Sequence, residues 1–267
     1  MLTKNLKRPS TKPTGTADPD EIARFTAVAD AWWDPHGAFK LVHAFNKVRV
    51  EHLWRCLPRL LDRDPSAVQP LAGLKIIDVG CGAGIVTEPL SRLGAEMTGI
   101  DATERNVEIA MHHAAMTQAP VRYRHILPEE LLAEEEVSFD IVMSLEVVEH
   151  VADLSAFLGA LADLTKPGGL LVIGTMNRTI RSWLQAILGA EYILGWFPRG
   201  THDWQKFVRP SELDRALTPK GFSMVDGCGV APSLPSMRWG ITRDQSVNYL
   251  RFYRRDDSDR ASVAGRC

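Results

Sequence analysis

The stretch SLEVVEHV, residues 144–151, sets Glu146, Glu149 and His150 directly behind the apolar run FDIVMSL. Two carboxylates and an imidazole this close together can hold a divalent metal or work as an acid–base pair. They can also simply start a helix, whose N-terminal dipole favours acids. Helical spacing would put the three on one face, as i, i+3 and i+4. Substrate oxygens could then complete a metal shell. Mg²⁺ prefers oxygen ligands, so the imidazole leaves room for Zn²⁺, Mn²⁺ or Fe²⁺. As a base, His150 would titrate near neutrality.

A second group of chemistry-bearing residues lies upstream. IIDVGCGAG, residues 76–84, sits where an apolar strand turns into a helix, and Gly80, Gly82 and Gly84 allow a tight turn and close approach to a ligand. The spacing G-x-G-x-G is not the G-x-G-x-x-G of dinucleotide sites, which argues against a pyrophosphate ligand and a nicotinamide-dependent oxidoreductase. Asp78 just before the turn would oppose a diphosphate but tolerate a cationic amino-acid nucleoside. Asp101 ends EMTGID about one βα unit later, placed to accept from ribose hydroxyls. The plainer alternative is a tight turn, with Asp101 only capping the helix TERNVEIA.

Positioning these residues requires strand ends. LKIIDVG, EMTGID, VRYRHI, FDIVMSL and GLLVIGTM are short apolar runs, separated mostly by the helical stretches IVTEPLSRL, TERNVEIAMHHAAMT and ADLSAFLGALADL. Such alternation predicts a mainly parallel α/β sheet, whose ligands bind beyond the carboxyl ends of the strands. GFSMVDGCGV and VNYLRFYR supply two further strands. Residues 18–61 read as two helices, the first carrying Ile22, Phe25, Ala29 and the pair Trp32/Trp33 at helical spacing. The tryptophans either pack in the core or form a lid that excludes water.

At 267 residues, 45% hydrophobic and 24% charged, the chain is expected to fold as one sizeable domain over residues 18–254. Within it, 18–66 form N-terminal helices. Residues 1–17 read as a disordered leader without an apolar signal region, and 255–267 as a disordered tail. The net charge of −2 gives no reason to expect nucleic acid. Four scattered cysteines suit a reducing compartment.

Residues 177–209 interrupt the alternation and read as an insertion over the active site. Ile180, Trp183, Leu184, Ile187, Leu188 and Tyr192 would share one helical face, ringed by Arg178, Arg181, Arg199, Lys206 and Arg209. Either the segment touches a membrane surface as an interfacial helix, or it is a lid on its own sheet.

The D-x-G-x-G-x-G turn with its following acid resembles the class I S-adenosylmethionine-dependent methyltransferases. Several further stretches are similar to one branch, the ubiquinone-biosynthesis O-methyltransferases: FTAVADAWWDPHGAFKLVHAFNKVR, LEVVEHV, KPGGLLVIGTMNRT, GAEYILGWFPRGTHDWQKFV and VNYL. The likeness runs from about Asp18 to Tyr253, with TMNR replacing the commoner TLNR. It implies a Rossmann-like fold, a mostly parallel seven-stranded sheet with an antiparallel edge strand and helices on both faces. S-adenosylmethionine would be the methyl donor. Arg49 would bind its carboxylate, Gly80 would approach it closely, Asp101 would hold its ribose and Leu145 would lie beside it; by itself Arg49 reads as a surface helix arginine. The acceptors implied are polyprenylated phenols or catechols, namely 2-polyprenyl-6-hydroxyphenol and 3-demethylubiquinol. A phenol has a pKa of about 10 by analogy with tyrosine, so something must remove or displace its proton. The resemblance implies a divalent metal (Mg²⁺, Zn²⁺ or Mn²⁺) on Glu146, Glu149 and His150, with His150 as general base the competing role. It also implies a cytoplasmic location, peripheral association with the inner membrane and other enzymes of the pathway as partners. The competing readings are a methyltransferase on another small phenolic acceptor and a non-enzymatic scaffold of the same pathway.

Overall fold

In this computed structural model, residues 15–34, 37, 39–134, 136–183, 204–233 and 238–257 are described. The first helix, α1 (Pro19–Val28), starts where Asp18 caps the amide of Asp20 and Pro19 occupies the first turn, with Asp20 and Glu21 favourably placed at its N-terminal dipole. Helix α2 (Lys40–Leu60) buries Asn46, Arg49, Leu53, Cys56 and Leu57, one stripe at helical spacing.

Strands β1 (Lys75–Val79), β2 (Glu96–Asp101), β3 (Val121–His125), β4 (Phe139–Leu145) and β5 (Thr165–Met176) then alternate with α3 (Thr87–Ser91), α4 (Glu104–Thr117), α5 (Pro128–Glu134) and α6 (Leu154–Leu164). The short α7 (Ile180–Ser182) and α8 (Pro210–Leu217) precede β6 (Phe222–Ser233), β7 (Arg238–Thr242) and β8 (Asn248–Arg255). The strand order is β3-β2-β1-β4-β5-β8-β6-β7. Strands β1 to β5 pair in parallel. The connections run outward from β1 to β3 and then return to β4 on its other side, which opens a crevice at the carboxyl ends of β1 and β4.

Alternating side chains cover both faces. Ile77, Val142 and Leu171 pack with α6 and α8, while Ile76, Met143 and Val172 pack with Leu53, Leu57 and Leu90.

One expectation about the sheet is corrected: it has eight strands where the resemblance implied seven. A second antiparallel strand is internal, β8, which lies between β5 and β6 and is antiparallel to both. Tyr249, Leu250, Phe252 and Tyr253 are all buried, and a strand apolar on both faces belongs in the middle of a sheet. The expected antiparallel edge strand is β7, paired with the end of β6. Its sequence RWGIT is short and half-exposed, with no apolar alternation to announce it.

The expected domain limits also shift. Thr16, assigned to the leader, is buried: its amide and hydroxyl donate to Glu129, and its carbonyl accepts from the Ala152 amide. At the other end Arg255 still belongs to β8, and the Asp256 amide donates to the Gly221 carbonyl. Residues 1–14 and 258–267 lie outside the described residues, as do 184–203 of the insertion.

Candidate active site

The glycine turn forms where β1 ends. The amides of Gly80 and Cys81 both donate to the Ile100 carbonyl, at 2.8 and 3.0 Å, tying the turn to the end of β2. Gly80 has φ +79°, and a Cβ there would lie 2.3 Å from the Val147 Cγ2. The turn therefore packs directly on the segment that carries Glu146, Glu149 and His150. A Cβ on Gly82 would make only ordinary contact with the Trp32 indole, at 3.7 Å, so Trp32 faces the turn there.

Asp101, expected to meet a ribose or to cap the helix after it, ties the end of β2 to the glycine turn and to the approach to α4. Its Oδ2 accepts from the Gly82 amide at 2.8 Å, and its Oδ1 from the Thr103 amide at 2.8 Å and from Asn106 at 3.3 Å. Burial pushes its pKa up, opposed by those amide hydrogen bonds. Asp78 lies beneath the turn: its carboxylate accepts from the Thr87 hydroxyl at 2.7 Å, fastening β1 to α3. Burial raises its pKa to about 6.

Trp32 and Trp33 are partly exposed and close over this turn. Trp32 donates to Asn106 at 3.1 Å and stacks on Phe39; Trp33 donates to the Ala83 carbonyl at 2.9 Å and stacks on His113 at 3.4 Å. The His113 ring in turn bonds the buried Glu88 at 2.8 Å.

Arg49 is not a surface residue: it is 1% exposed. It forms an ion pair with Glu146, lies 3.8 Å over the Phe45 ring, and keeps a buried Nε with no partner among the described residues. Leu145, last in β4, pairs in register with Gly174, whose carbonyl accepts from the Glu146 amide at 2.8 Å.

The expectation that Glu146, Glu149 and His150 share a helical face is corrected. Glu146 has φ +57°, in the left-handed region, and residues 148–150 form a turn closed by the His150 amide on the Val147 carbonyl. The next helix, α6, begins only at Leu154. The three side chains consequently reach different partners. Glu146 pairs with Arg49, the buried Glu149 accepts from the Thr175 hydroxyl at 2.7 Å, and His150 Nδ1 meets Glu21 at 3.1 Å.

Burial and the nearby Glu146 raise the pKa of Glu149 to about 7. Burial opposes the charge on His150, but the Glu21 hydrogen bond and the fields of Glu149, Glu21 and Glu146 raise its pKa overall. Among the described residues no group of three His, Cys, Asp and Glu gathers as a metal would require. The implied ligand set does not fit a metal as it stands, because a guanidinium already neutralises Glu146 and a carboxylate holds His150.

Glu21 was absent from the expected site. In sequence it is only an acid in the first turn of a helix, 129 positions from His150, and no local pattern joins the two.

These features fit S-adenosylmethionine: a glycine turn faced by Trp32, an acid at the end of β2, and a buried guanidinium with a spare donor for a carboxylate. The magnesium protoporphyrin IX methyltransferase of Synechocystis PCC 6803 with bound SAM shares the fold at TM-score 0.59 and 18% identity, covering 91% of this chain and 100% of its own. The N-methyltransferase NodS of Bradyrhizobium japonicum WM9, in complex with S-adenosyl-l-homocysteine, does so at TM-score 0.57 and 18% identity, covering 88% and 97%. Residues 51–226 match the methyltransferase domain family. Fold and site thus define an S-adenosylmethionine-dependent methyltransferase of the Rossmann-like class I.

Curated relatives narrow this further. A ubiquinone biosynthesis O-methyltransferase of Paramagnetospirillum magneticum is 50% identical over 89% of this chain and 95% of its own. Its namesake in Ruegeria pomeroyi is 48% identical over 88% and 95%. The chain belongs to the ubiquinone biosynthesis O-methyltransferase family.

Proposed function

We propose that the chain methylates the hydroxyl of polyprenylated phenols or catechols, 2-polyprenyl-6-hydroxyphenol and 3-demethylubiquinol, with His150 as the general base. The observation that carries this reading is the contact of Gly80 with Val147: the turn for the methyl donor and the segment bearing the base are packed against each other. S-adenosylmethionine, when bound, supplies an electrophilic methyl group on a sulfonium. The protein contributes alignment, desolvation and proton removal. Arg49 would hold the donor's carboxylate, Asp101 the ribose, and the main chain of Leu145 would lie alongside; Gly80 lets the backbone approach. Trp32 and Trp33 exclude water from above. His150 takes the acceptor hydroxyl's proton as the oxygen attacks.

A divalent metal on Glu146, Glu149 and His150 would require Glu146 to leave Arg49 and His150 to leave Glu21. A methylation assay on short-chain demethylubiquinol and the corresponding polyprenylcatechol, with and without chelator, tests acceptor and metal together. Turnover of both acceptors that survives chelation is expected. Loss of turnover restored by Zn²⁺, Mn²⁺ or Mg²⁺ would overturn the metal-free account, and failure on both acceptors would overturn the substrate assignment.

Peripheral attachment to a membrane surface, at the cytoplasmic face of the inner membrane, also suits acceptors with a bilayer-bound tail. No helix among the described residues is long and apolar enough to cross a membrane. Ile180 and Trp183 open the insertion at 76% and 43% exposure, which supports an interfacial contact there. Arg178, Arg181 and Lys206 are engaged by Glu212, Asp244 and Glu21 respectively, so an apolar contact is favoured over headgroup pairing. Leu184, Ile187, Leu188, Tyr192 and Arg199 lie outside the described residues. Changing Trp183 to Glu should abolish co-sedimentation with liposomes while leaving cofactor binding intact. Association with other enzymes of the pathway belongs to the same proposal, and pull-down from membranes tests it.

A further inference from the structure

We infer that Asn106 is a positioning residue for the methyl donor: its amide joins Asp101, the acid for the ribose, to the indole of Trp32. The inference rests on Asp101 holding that ribose. Asn106 lies in the first turn of α4 and is 2% exposed. Its Oδ1 accepts from Trp32 Nε1 at 3.1 Å, and its Nδ2 donates to Asp101 Oδ1 at 3.3 Å. An indole nitrogen only donates and an ionised carboxylate only accepts, so these two partners fix the amide in one orientation. Turned the other way, it would set donor against donor and acceptor against acceptor.

Four residues thus close a ring of contacts at the glycine turn. Asp101 Oδ2 accepts from the Gly82 amide at 2.8 Å, and a Cβ on Gly82 would stand 3.7 Å from Trp32 Cζ2. Trp32 then returns to Asp101 through Asn106. The Thr103 amide and Asn106 together hold Oδ1, which fixes the rotation of the carboxylate and keeps Oδ2 on the glycine turn. Donation from the indole polarises the amide of Asn106 and strengthens its hold on Asp101. Trp32 is also fastened without Asn106: it stacks on Phe39 at 4.4 Å, and its carbonyl meets His43 Nε2 at 2.8 Å. The residues just before it are anchored by an exposed ion pair, Asp30 with Arg105 at 2.7 Å. Removing the amide of Asn106 therefore cuts the link to Asp101 while the other anchors of Trp32 stay in place.

The test compares S-adenosylhomocysteine with its 2′,3′-dideoxy analogue, which lacks the ribose hydroxyls, by calorimetric titration. The ratio of the two affinities reads the ribose contact alone. Asp101→Asn should lower this ratio about 10- to 100-fold, and Asn106→Leu, which keeps the size but removes both bonds, about 10-fold, as loss of a hydrogen bond to a charged group implies. Trp32→Phe acts only through Asn106 and should lower it about two- to fivefold. The double variant should match Asn106→Leu within about twofold. At saturating methyl donor, kcat of Asn106→Leu should stay within about twofold of wild type while KM for the donor rises. Arg105→Ala, which breaks only the exposed pair, should leave the ratio unchanged. A ratio unmoved by Asp101→Asn would overturn the ribose reading and this inference with it. A ratio that falls in Asp101→Asn but not in Asn106→Leu would overturn this inference alone, because both ligands would then be weakened equally by lost packing. An equal fall in Arg105→Ala and Asn106→Leu would also overturn it, as a general loosening of the segment. Should Asn106→Leu fail to fold, Trp32→Phe decides: a fallen ratio supports the inference, and an unmoved one overturns it.

Discussion

The two halves of the active site are built in different ways. On the donor side, bonds connect neighbours along the chain: Asp78 with Thr87, Asp101 with Thr103 and Asn106, and Gly82 with Asp101. The stretch from β1 to the first turns of α4 carries all of them, so the turn, its glycines and its acid form a nearly self-contained device. On the acceptor side every key side chain is held from far away. Arg49 reaches Glu146 across 97 positions, Glu21 reaches His150 across 129, and Lys206 reaches Glu21 across 185. The difference teaches that this fold carries its donor site within the sheet, whereas its acceptor site exists only once α1, α2 and the end of the insertion have docked.

Breaking the acceptor side at its centre should have the largest effect. His150→Asn is expected to reduce kcat by about 10²- to 10⁴-fold, the range for loss of a general base, with S-adenosylhomocysteine affinity unchanged. A matching loss of affinity would mean that the two halves are not separable.

On the donor side, Gly80→Ala forces a Cβ onto a φ of +79°, 2.3 Å from Val147 Cγ2. Such strain costs about 1–3 kcal/mol, visible as a lower Tm and weaker S-adenosylhomocysteine binding. Adding Val147→Ala should relieve the clash but not the backbone strain, so recovery should be only partial.

Arg49 joins the halves. Arg49→Met removes the partner of Glu146 next to the buried Glu149 and is expected to weaken S-adenosylhomocysteine binding about 10- to 100-fold, as loss of a charged hydrogen bond worth about 1.5–3 kcal/mol implies. Arg49→Lys should fall between, because an ammonium cannot reproduce the guanidinium fork. Calorimetric titration of the three proteins gives the order.

The smallest effect is on pH dependence. The His150 hydrogen bond, opposed by burial and aided by Lys206, lowers the Glu21 pKa from 4.5 to about 2. A depressed carboxylate contributes stability that is fully present above its unfolded pKa and is lost as pH falls from about 4.5 toward 2. The raised His150 contributes oppositely: its share is full below 6.5 and fades as pH rises through its folded value. The Tm gap between wild type and Glu21→Gln should therefore be widest between those limits and shrink on acidification. A gap that grows with acid would contradict the pairing.

Legibility in the sequence followed the same division. Gly80, Asp101, the alternation of strands and helices, and the strand VNYLRFYR could be read because each is a local pattern whose physics acts over a few residues. RWGIT could not, since a short half-exposed edge strand is defined by its neighbour β6 and not by its own periodicity. Arg49 and His150 could be named from the resemblance, but their partners could not. Helical spacing put Glu146, Glu149 and His150 on one face, and the left-handed turn at Glu146 cancelled it. One positive φ redirects every side chain after it, and glutamate carries no sequence signal for that conformation.

What the sequence determined by itself is thus the sheet and the glycine turn, consequences of hydrophobic period and steric permissiveness at neighbouring positions, while the class of donor followed from the family resemblance. Only the tertiary structure decided that Arg49 faces inward to Glu146, that Trp32 and Trp33 cover the glycine turn, and that Glu21 holds His150. The physical reason is that ion pairs and hydrogen bonds select partners by distance in space, and the packing of α1 and α2 on the sheet is what brings those partners together.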